Sequence, residues 1–314
     1  MHVQPDRSGV DIGHMSPSQD NPEASLPRLK ERPAESHKGD YGRILLIGGS
    51  RGMVGAVALS GKAALRSGAG LVTLAVPEPC LDLAAAFEPC YMTAALPADR
   101  EGRISAPART CLERLMKSAS VIGCGPGLGR SKEITELVGW LYRTVRQPLV
   151  LDADALNSLA ECPEAVCQAG GSFQVPGPRV LTPHPGEFDR LIQAMELQGE
   201  NATVQADQLA RQSQAVVVLK GHRTLVTDGC RSSRNPSGNP GMATGGSGDV
   251  LLGVIAALLG QEMACYDAAR LGVYLHGRAG DLAAQEQGQI SMVASDLIGF
   301  LSSAFKEHHG GRED

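Results

Sequence analysis

Short apolar runs alternate with glycine-rich polar turns along most of this chain. Ile44-Leu-Leu-Ile47, closed by Gly48-Gly49-Ser50, is too short for a helix and bounded by breakers, which predicts a buried strand. Ala56 to Gly68 is a small-residue run of helical length, and Leu71 to Val76 reads as the next strand. Strand, Gly-rich turn, helix and strand form a βαβ unit, which implies a parallel sheet. The alternation continues with Val121-Ile122, which runs into Gly123 to Gly129, and Ser131 as N-cap of a helix through Leu141. Pro148 to Leu151 is a strand ending in Asp152-Ala-Asp154, before a helix from Ala155 to Ala160. Arg179 to Thr182 opens into Pro183-His-Pro-Gly-Glu187 and a helix from Phe188 to Met195. Residues 203–214 read as a helix, Ala215 to Leu219 as a strand ending in Lys220 to Thr224, and Leu225 to Gly229 as a strand with a hairpin turn. Asn235 to Asp249 is then a glycine-rich loop feeding the apolar helix Val250 to Gly260, with further helices over Asp267 to Ala284 and Ala294 to Phe300.

These elements predict an α/β fold with a central, mostly parallel sheet, in one domain over residues 38–305. Residues 1–37 hold almost no large apolar side chains and read as a mobile or loosely draped tail, and residues 306–314 as a polar C-terminal tail. The loops at 48–55, 123–129, 152–154, 182–187, 220–224 and 244–249 all follow the carboxyl end of a strand. That edge is where open α/β sheets bind ligands, so the six loops predict one long site.

Composition narrows the field. Apolar residues at 42% suffice for a large core, and a net charge of −5 with no basic, aromatic-interleaved run argues against nucleic acid. The eight cysteines form no Cys-x-x-Cys pair, and Cys162 with Cys167, the nearest two, have no histidine partner. The first residues lack the apolar core of a signal peptide, and the longest apolar run is too short to span a membrane, so the cytoplasm is expected.

The chemistry concentrates at Gly-Gly-Ser-Gly-Asp249. A flexible loop feeding a helix leaves unpaired N–H groups and a favourable dipole for an anion, phosphate above all. The amides of Gly246, Ser247 and Gly248 are the candidate anion hole, and Asp249 in its mouth is either a general base or a helix cap. The Gly-Lys-Ser/Thr of an ATPase P-loop is missing, as are the dinucleotide, hydrolase-elbow and zinc-peptidase signatures. Lys220 is a phosphate contact or a solvated lysine. His184, between two prolines, is a preorganised contact or part of a turn, and Glu187 is a site residue or a first-turn carboxylate favoured by the helix dipole. Asp152 faces the site while Asp154 caps the next helix. His276, on an apolar helix, reads as a satisfied core histidine.

Eight motifs occur in one order: Gly-Gly-Ser-Arg-Gly-Met-Val-Gly-Ala56, Ala-Leu-Arg-Ser-Gly-Ala-Gly70, Gly-Pro-Gly-Leu-Gly129, Leu-Asp-Ala-Asp-Ala-Leu-Asn157, Leu-Thr-Pro-His-Pro-Gly-Glu187, Leu-Lys-Gly221, Gly-Gly-Ser-Gly-Asp249 and Tyr-Leu-His-Gly277. Over residues 37–305 the series resembles the ADP- or ATP-dependent NAD(P)H-hydrate dehydratases, a branch of the ribokinase-like superfamily. The resemblance implies a three-layer α/β/α fold and the repair of nicotinamide coenzymes that have taken up water. A nucleotide phosphate converts the added hydroxyl into a leaving group, which is then eliminated.

By the same resemblance, Asp249 is the catalytic base, and Ala56, Gly127 and His184, with Asp249, contact the hydrated coenzyme. Lys220, Gly221, His222, Arg223 and Thr224, with Gly248, line the adenine nucleotide, and Glu187 organises Mg2+ through water. The implied partners are ADP (or ATP), Mg2+ and hydrated NADH or NADPH, in a homo-oligomer, a tetramer by family habit. Two departures stand out. The leading tail is too short for the epimerase fused to many bacterial relatives, so action on the S epimer alone is expected, with an epimerase on another chain. Arg51-Gly-Met-Val also replaces a more usual aromatic- or polar-rich stretch. The rival expectations are a thiazole- or pyrimidine-type kinase of the same fold and a catalytically idle nucleotide-binding protein.

Overall fold

The computed structural model describes residues 26–166 and 174–310. Five βα steps build the first half: β1 (Arg43–Ile47), α1 (Val54–Arg66), β2 (Leu71–Pro77), α2 (Leu81–Phe87), β3 (Met92–Leu96), α3 (Ala108–Met116), β4 (Val121–Cys124), α4 (Lys132–Thr144), β5 (Leu149–Leu151) and α5 (Asp154–Glu161). The second half holds β6 (Arg179–Leu181), α6 (Pro185–Ala194), α7 (Ala202–Ser213), β7 (Val216–Leu219), β8 (Leu225–Thr227), β9 (Ser232–Arg234), α8 (Ser247–Gly260), α9 (Cys265–Gln287) and α10 (Ala294–Gly310).

The nine strands form one sheet in the order β3-β2-β1-β4-β5-β6-β7-β8-β9. Pairing is parallel from β3 through β7, and the β8–β9 hairpin closes one edge antiparallel. Because side chains alternate across a strand, neighbouring residues feed opposite layers. Ile44 and Leu46 pack with α1, α8, α9 and α10, whereas Leu45 and Ile47 pack with α3 to α7. The result is the expected three-layer α/β/α sandwich.

Helix α8 is buried from Val250 to Gly260, which explains its lack of a polar face. It lies against α1 so closely that a Cβ on Gly253 would stand 2.2 Å from the Ser60 carbonyl oxygen. No helix among the described residues is long and apolar enough to cross a membrane.

Several expectations shift. The unassigned stretch between β2 and β4 supplies α2, the edge strand β3 and α3. Helix α10 runs to Gly310, past the boundary expected at 305, and Arg278 Nε donates to Glu307 Oε2 at 2.6 Å along that last stretch. Residues 1–25 of the expected tail, and Cys167, lie outside the described residues. The rest of the tail is pinned across the α8–α10 layer. There the Arg32 guanidinium stacks 3.8 Å over the Tyr41 ring and donates to the Gly68 carbonyl at 2.7 Å.

Candidate functional site

The site grows from the start of α8. Gly246 is its N-cap at φ 93, a left-handed conformation that a β-carbon would strain. Ser247 Oγ donates to the Met242 carbonyl at 2.8 Å, and its N–H makes a long bond to the Thr244 carbonyl at 3.4 Å. Val250 N–H is the donor that reaches back to the Gly246 carbonyl, at 3.1 Å, which leaves Gly248 and Asp249 as helix-start donors without an intrahelical partner. The expected trio of Gly246, Ser247 and Gly248 amides is therefore only partly free. The loop before α8 is tied to α9, with Gly238 N–H and Asn239 Nδ2 donating to the two oxygens of Asp281 at 2.9 and 3.0 Å.

Asp249 is the third residue of α8 and makes no cap, so the capping alternative is wrong. Among the described residues its carboxyl has no hydrogen-bond partner, although its backbone carbonyl accepts from Ser60 Oγ at 2.8 Å. Burial, reinforced by the neighbouring Asp152 and opposed by Lys220, pushes the Asp249 carboxyl up to about 7.

Three strand ends converge beside it. Asp152 follows β5, Glu187 lies in the first turn of α6 after β6, and Lys220 follows β7. Lys220 Nζ is 2.5 Å from Asp152 Oδ1 and 3.9 Å from Glu187 Oε2, so Lys220 is not a solvated lysine. Burial works against the ammonium, but Asp152 and then Glu187 outweigh it and hold its pKa above the ordinary lysine value. Glu187 is buried and pushed up to about 7 by that burial, against the pull of Lys220.

His184 turns out to be the N-cap of α6. Its Nδ1 accepts from Gly186 N–H at 3.0 Å, while its own N–H donates to Glu187 Oε2 at 2.8 Å, a reciprocal capping box. Its Nε2 stands 3.2 Å from Glu187 Oε1, and the side chain is half-exposed. Burial, then Lys220, lowers its pKa and keeps the ring neutral. Asp154 does not cap α5: Ala153 occupies that position at φ 50, and Asp154 Oδ2 accepts from Gly129 N–H at 2.9 Å instead. The bond ties the loop after β4 to the loop after β5.

A cavity of about 470 Å3 opens beside Lys220. One wall is the loop after β7, Lys220, Gly221, His222, Arg223 and Thr224, with Gly248 at the floor. Thr224 Oγ1 donates to the Gly221 carbonyl at 3.0 Å and closes that loop. His276 lines the opposite side, with Nε2 2.9 Å from the Ser247 carbonyl. Burial pushes its pKa down to about 4, as expected of a neutral, satisfied histidine. Outside that lining, Ala56 stands at the start of α1 against Gly127, whose Cβ, if present, would lie 3.3 Å from that of Ala56. Gly127 itself is buried under the Met53 carbonyl.

With this geometry in hand, the model of one family, NAD(P)H-hydrate dehydratase, matches residues 44–302. The chain belongs to that family. Among its dehydratase relatives, the ADP-dependent (S)-NAD(P)H-hydrate dehydratase of Neisseria meningitidis is 38% identical over 285 residues, covering 88% of each chain. A bifunctional NAD(P)H-hydrate repair enzyme from Moorella thermoacetica is 46% identical over 278 residues, but these span 87% of this chain and 51% of that one. The chain thus spans about half the length of the bifunctional relatives it matches. The crystal structure of the ADP/ATP-dependent NAD(P)H-hydrate dehydratase from Bacillus subtilis, co-crystallised with ATP and Mg2+, superposes with a TM-score of 0.72 at 32% identity, covering 91% and 96% of the two chains. The architecture is ribokinase-like, as the motifs implied.

Within this dehydratase-family site, residue spacing gave no sign of three features: the Asp152–Lys220 pair, the clasp of Asp281 on the α8 loop, and the anchoring of Asp249 by Ser60. Each joins residues far apart in the chain, and the local cues, a strand-end aspartate or a helix serine, are too common to single out.

Proposed function

We propose that the chain dehydrates the S form of hydrated NADH and NADPH with ADP as phosphoryl donor, releasing AMP and phosphate. The observation that carries this is Asp249, a carboxyl without a protein hydrogen-bond partner among the described residues, in a helix start with free amides whose Gly248 lines a nucleotide-sized cavity. With a pKa about 7, it is balanced to accept a proton near neutrality.

The hydroxyl oxygen of the hydrated ring attacks the terminal phosphorus of ADP as Asp249 takes its proton, and the bond from that phosphorus to AMP breaks. The Gly248 and Asp249 amides stabilise charge on the moving phosphoryl oxygens. The carbon–oxygen bond then breaks with its electron pair leaving on phosphate, driven by the ring nitrogen's lone pair. Loss of a proton from the adjacent ring carbon restores the double bond. The coenzyme lies on the Ala56–Gly127 side and contacts His184, and the adenine nucleotide occupies the cavity lined by Lys220 to Thr224.

Among the described residues no three His, Cys, Asp or Glu side chains gather into a metal cage. Mg2+ usually keeps several waters and is bound through one or two carboxylates together with substrate phosphates. Glu187, its oxygens engaged by His184, would reach the ion through water. The ion would supply neutralising charge for the donor phosphates. A cytoplasmic homotetramer, taken from the family resemblance, belongs to the same proposal, and sedimentation checks its size.

The test is to incubate hydrated NADH or NADPH with the protein and ADP or ATP and follow reduced-nicotinamide absorbance. Recovery that requires nucleotide is expected. No recovery, with phosphate kept on another alcohol, would identify a kinase of the same fold instead.

A further inference from the structure

We infer that Lys220 contacts the migrating phosphoryl group itself, and that Asp152 is the residue positioning it there. The inference deepens the dehydratase proposal and rests on ADP being the donor.

The sheet order puts β5 and β7 on either side of β6, so Asp152 and Lys220 meet across the end of the strand between them. Asp152 is 1% exposed, and its carboxyl oxygens face two different groups. Oδ1 holds Lys220 Nζ at 2.5 Å. Oδ2 would lie 3.3 Å from a β-carbon on Gly248, and Lys220 Nζ 3.0 Å from the same point. The ammonium is therefore pressed against the α8 start, beside the unpaired amide of Gly248, and the absence of a side chain at Gly248 makes room for it.

The backbone of Lys220 is fixed as well, its N–H donating to the Pro183 carbonyl at 2.8 Å. An ammonium has three donors. Asp152 takes one, and Glu187 at 3.9 Å is beyond hydrogen-bond reach, so two remain for an anion. Lys220 and Gly248 both line the cavity, and the Lys220 ammonium is close enough to the Asp249 carboxyl for each to bias the other's ionisation. A phosphoryl group held by the Gly248 amide would therefore have this ammonium beside it. A lysine on a flexible four-carbon stem is a poor phosphate clamp unless something removes its freedom, and Asp152 does so before the ligand arrives.

The experiment measures ADP and AMP affinities by calorimetry, with Mg2+, for wild type, Lys220→Met, Asp152→Asn and the double variant. Only ADP carries the transferable phosphoryl. Lys220→Met should lose affinity for ADP by about tenfold, while AMP affinity holds within about twofold. Asp152→Asn should show the same ADP-selective loss, and the double variant should be no weaker than Lys220→Met, because Asp152 acts through Lys220. An unchanged ADP-to-AMP ratio in Lys220→Met, or losses that multiply in the double variant, would overturn the inference. A merely structural role lowers the melting temperature and both affinities together. Should Asp152→Asn not fold, Lys220→Arg keeps the charge but moves its centre, and its ADP-selective loss must still appear; an unchanged ratio there counts against the inference. Wild type that binds ADP yet restores no hydrated coenzyme would sink the dehydratase proposal and leave this contact standing.

Discussion

Ser60 Oγ donates to the backbone carbonyl of Asp249 at 2.8 Å, with the carbonyl of Ala56 a second acceptor at 3.3 Å. One buried hydroxyl thus ties the start of α1, the proposed coenzyme side, to the proposed base on α8. Ser60→Ala should cost about 1–2 kcal/mol of stability by leaving the Asp249 carbonyl short of a partner. A urea titration reads that loss, and turnover should fall along with it.

Asp249→Asn should separate binding from chemistry. The amide keeps the side chain's shape but cannot take a proton, so ADP affinity should stay close to wild type while turnover falls by about two or more orders of magnitude. Calorimetry with steady-state rates checks both, and equal turnover would remove Asp249 as base.

The raised pKa of Asp249 makes two pH predictions. As a base it works ionised, so turnover should rise with pH through about 7. For stability the sign is opposite. A carboxyl whose folded value is lifted above its unfolded value of about 4 binds more protons folded than unfolded, so its effect on stability worsens as pH rises through that window. Glu187, pushed up to about 7, acts in the same direction. Wild type should therefore lose stability relative to Asp249→Asn between about pH 4 and about pH 7, which denaturant melts across the range would show.

His276 holds the α8 start from below. It is neutral, with a pKa pushed down to about 4, so its Nε2–H donates to the Ser247 carbonyl. His276→Phe keeps the bulk and removes the donor, which should cost about 1–3 kcal/mol. ADP affinity should drop too, because Ser247 precedes the amides proposed to hold phosphate. A lower melting temperature with ADP affinity intact would confine His276 to the fold.

Much of the fold was readable where periodicity and breakers coincide. Ile44 to Ile47, closed by two glycines, left little choice, and the same holds for Pro148 to Leu151 and Ala215 to Leu219. Strand β3 was not readable: Met92-Thr-Ala-Ala-Leu96 is a partly exposed edge strand of small residues without a clear period. The end of α10 was misjudged because Lys306 and Glu307 look like tail composition, yet Glu307 is held by Arg278 from α9. The Gly-rich edge was legible because strand ends must turn wherever they stop, and Asp152, Glu187 and Lys220 meet on it. The side-chain partnerships needed three dimensions, since a separation of 68 positions from Asp152 to Lys220 hides a contact made across one strand. His184 illustrates the same point locally: its flanking prolines signalled a rigid turn, but only the fold shows its Nδ1 capping α6 and its Nε2 beside Glu187.

The most direct measurement counts products. S-hydrated NADH is mixed with ADP and the protein, and restored NADH, AMP and phosphate are each quantified. Equal amounts of the three are predicted, all abolished together by Asp249→Asn. AMP formed with its phosphate kept on an organic product, and no NADH restored, would contradict the account.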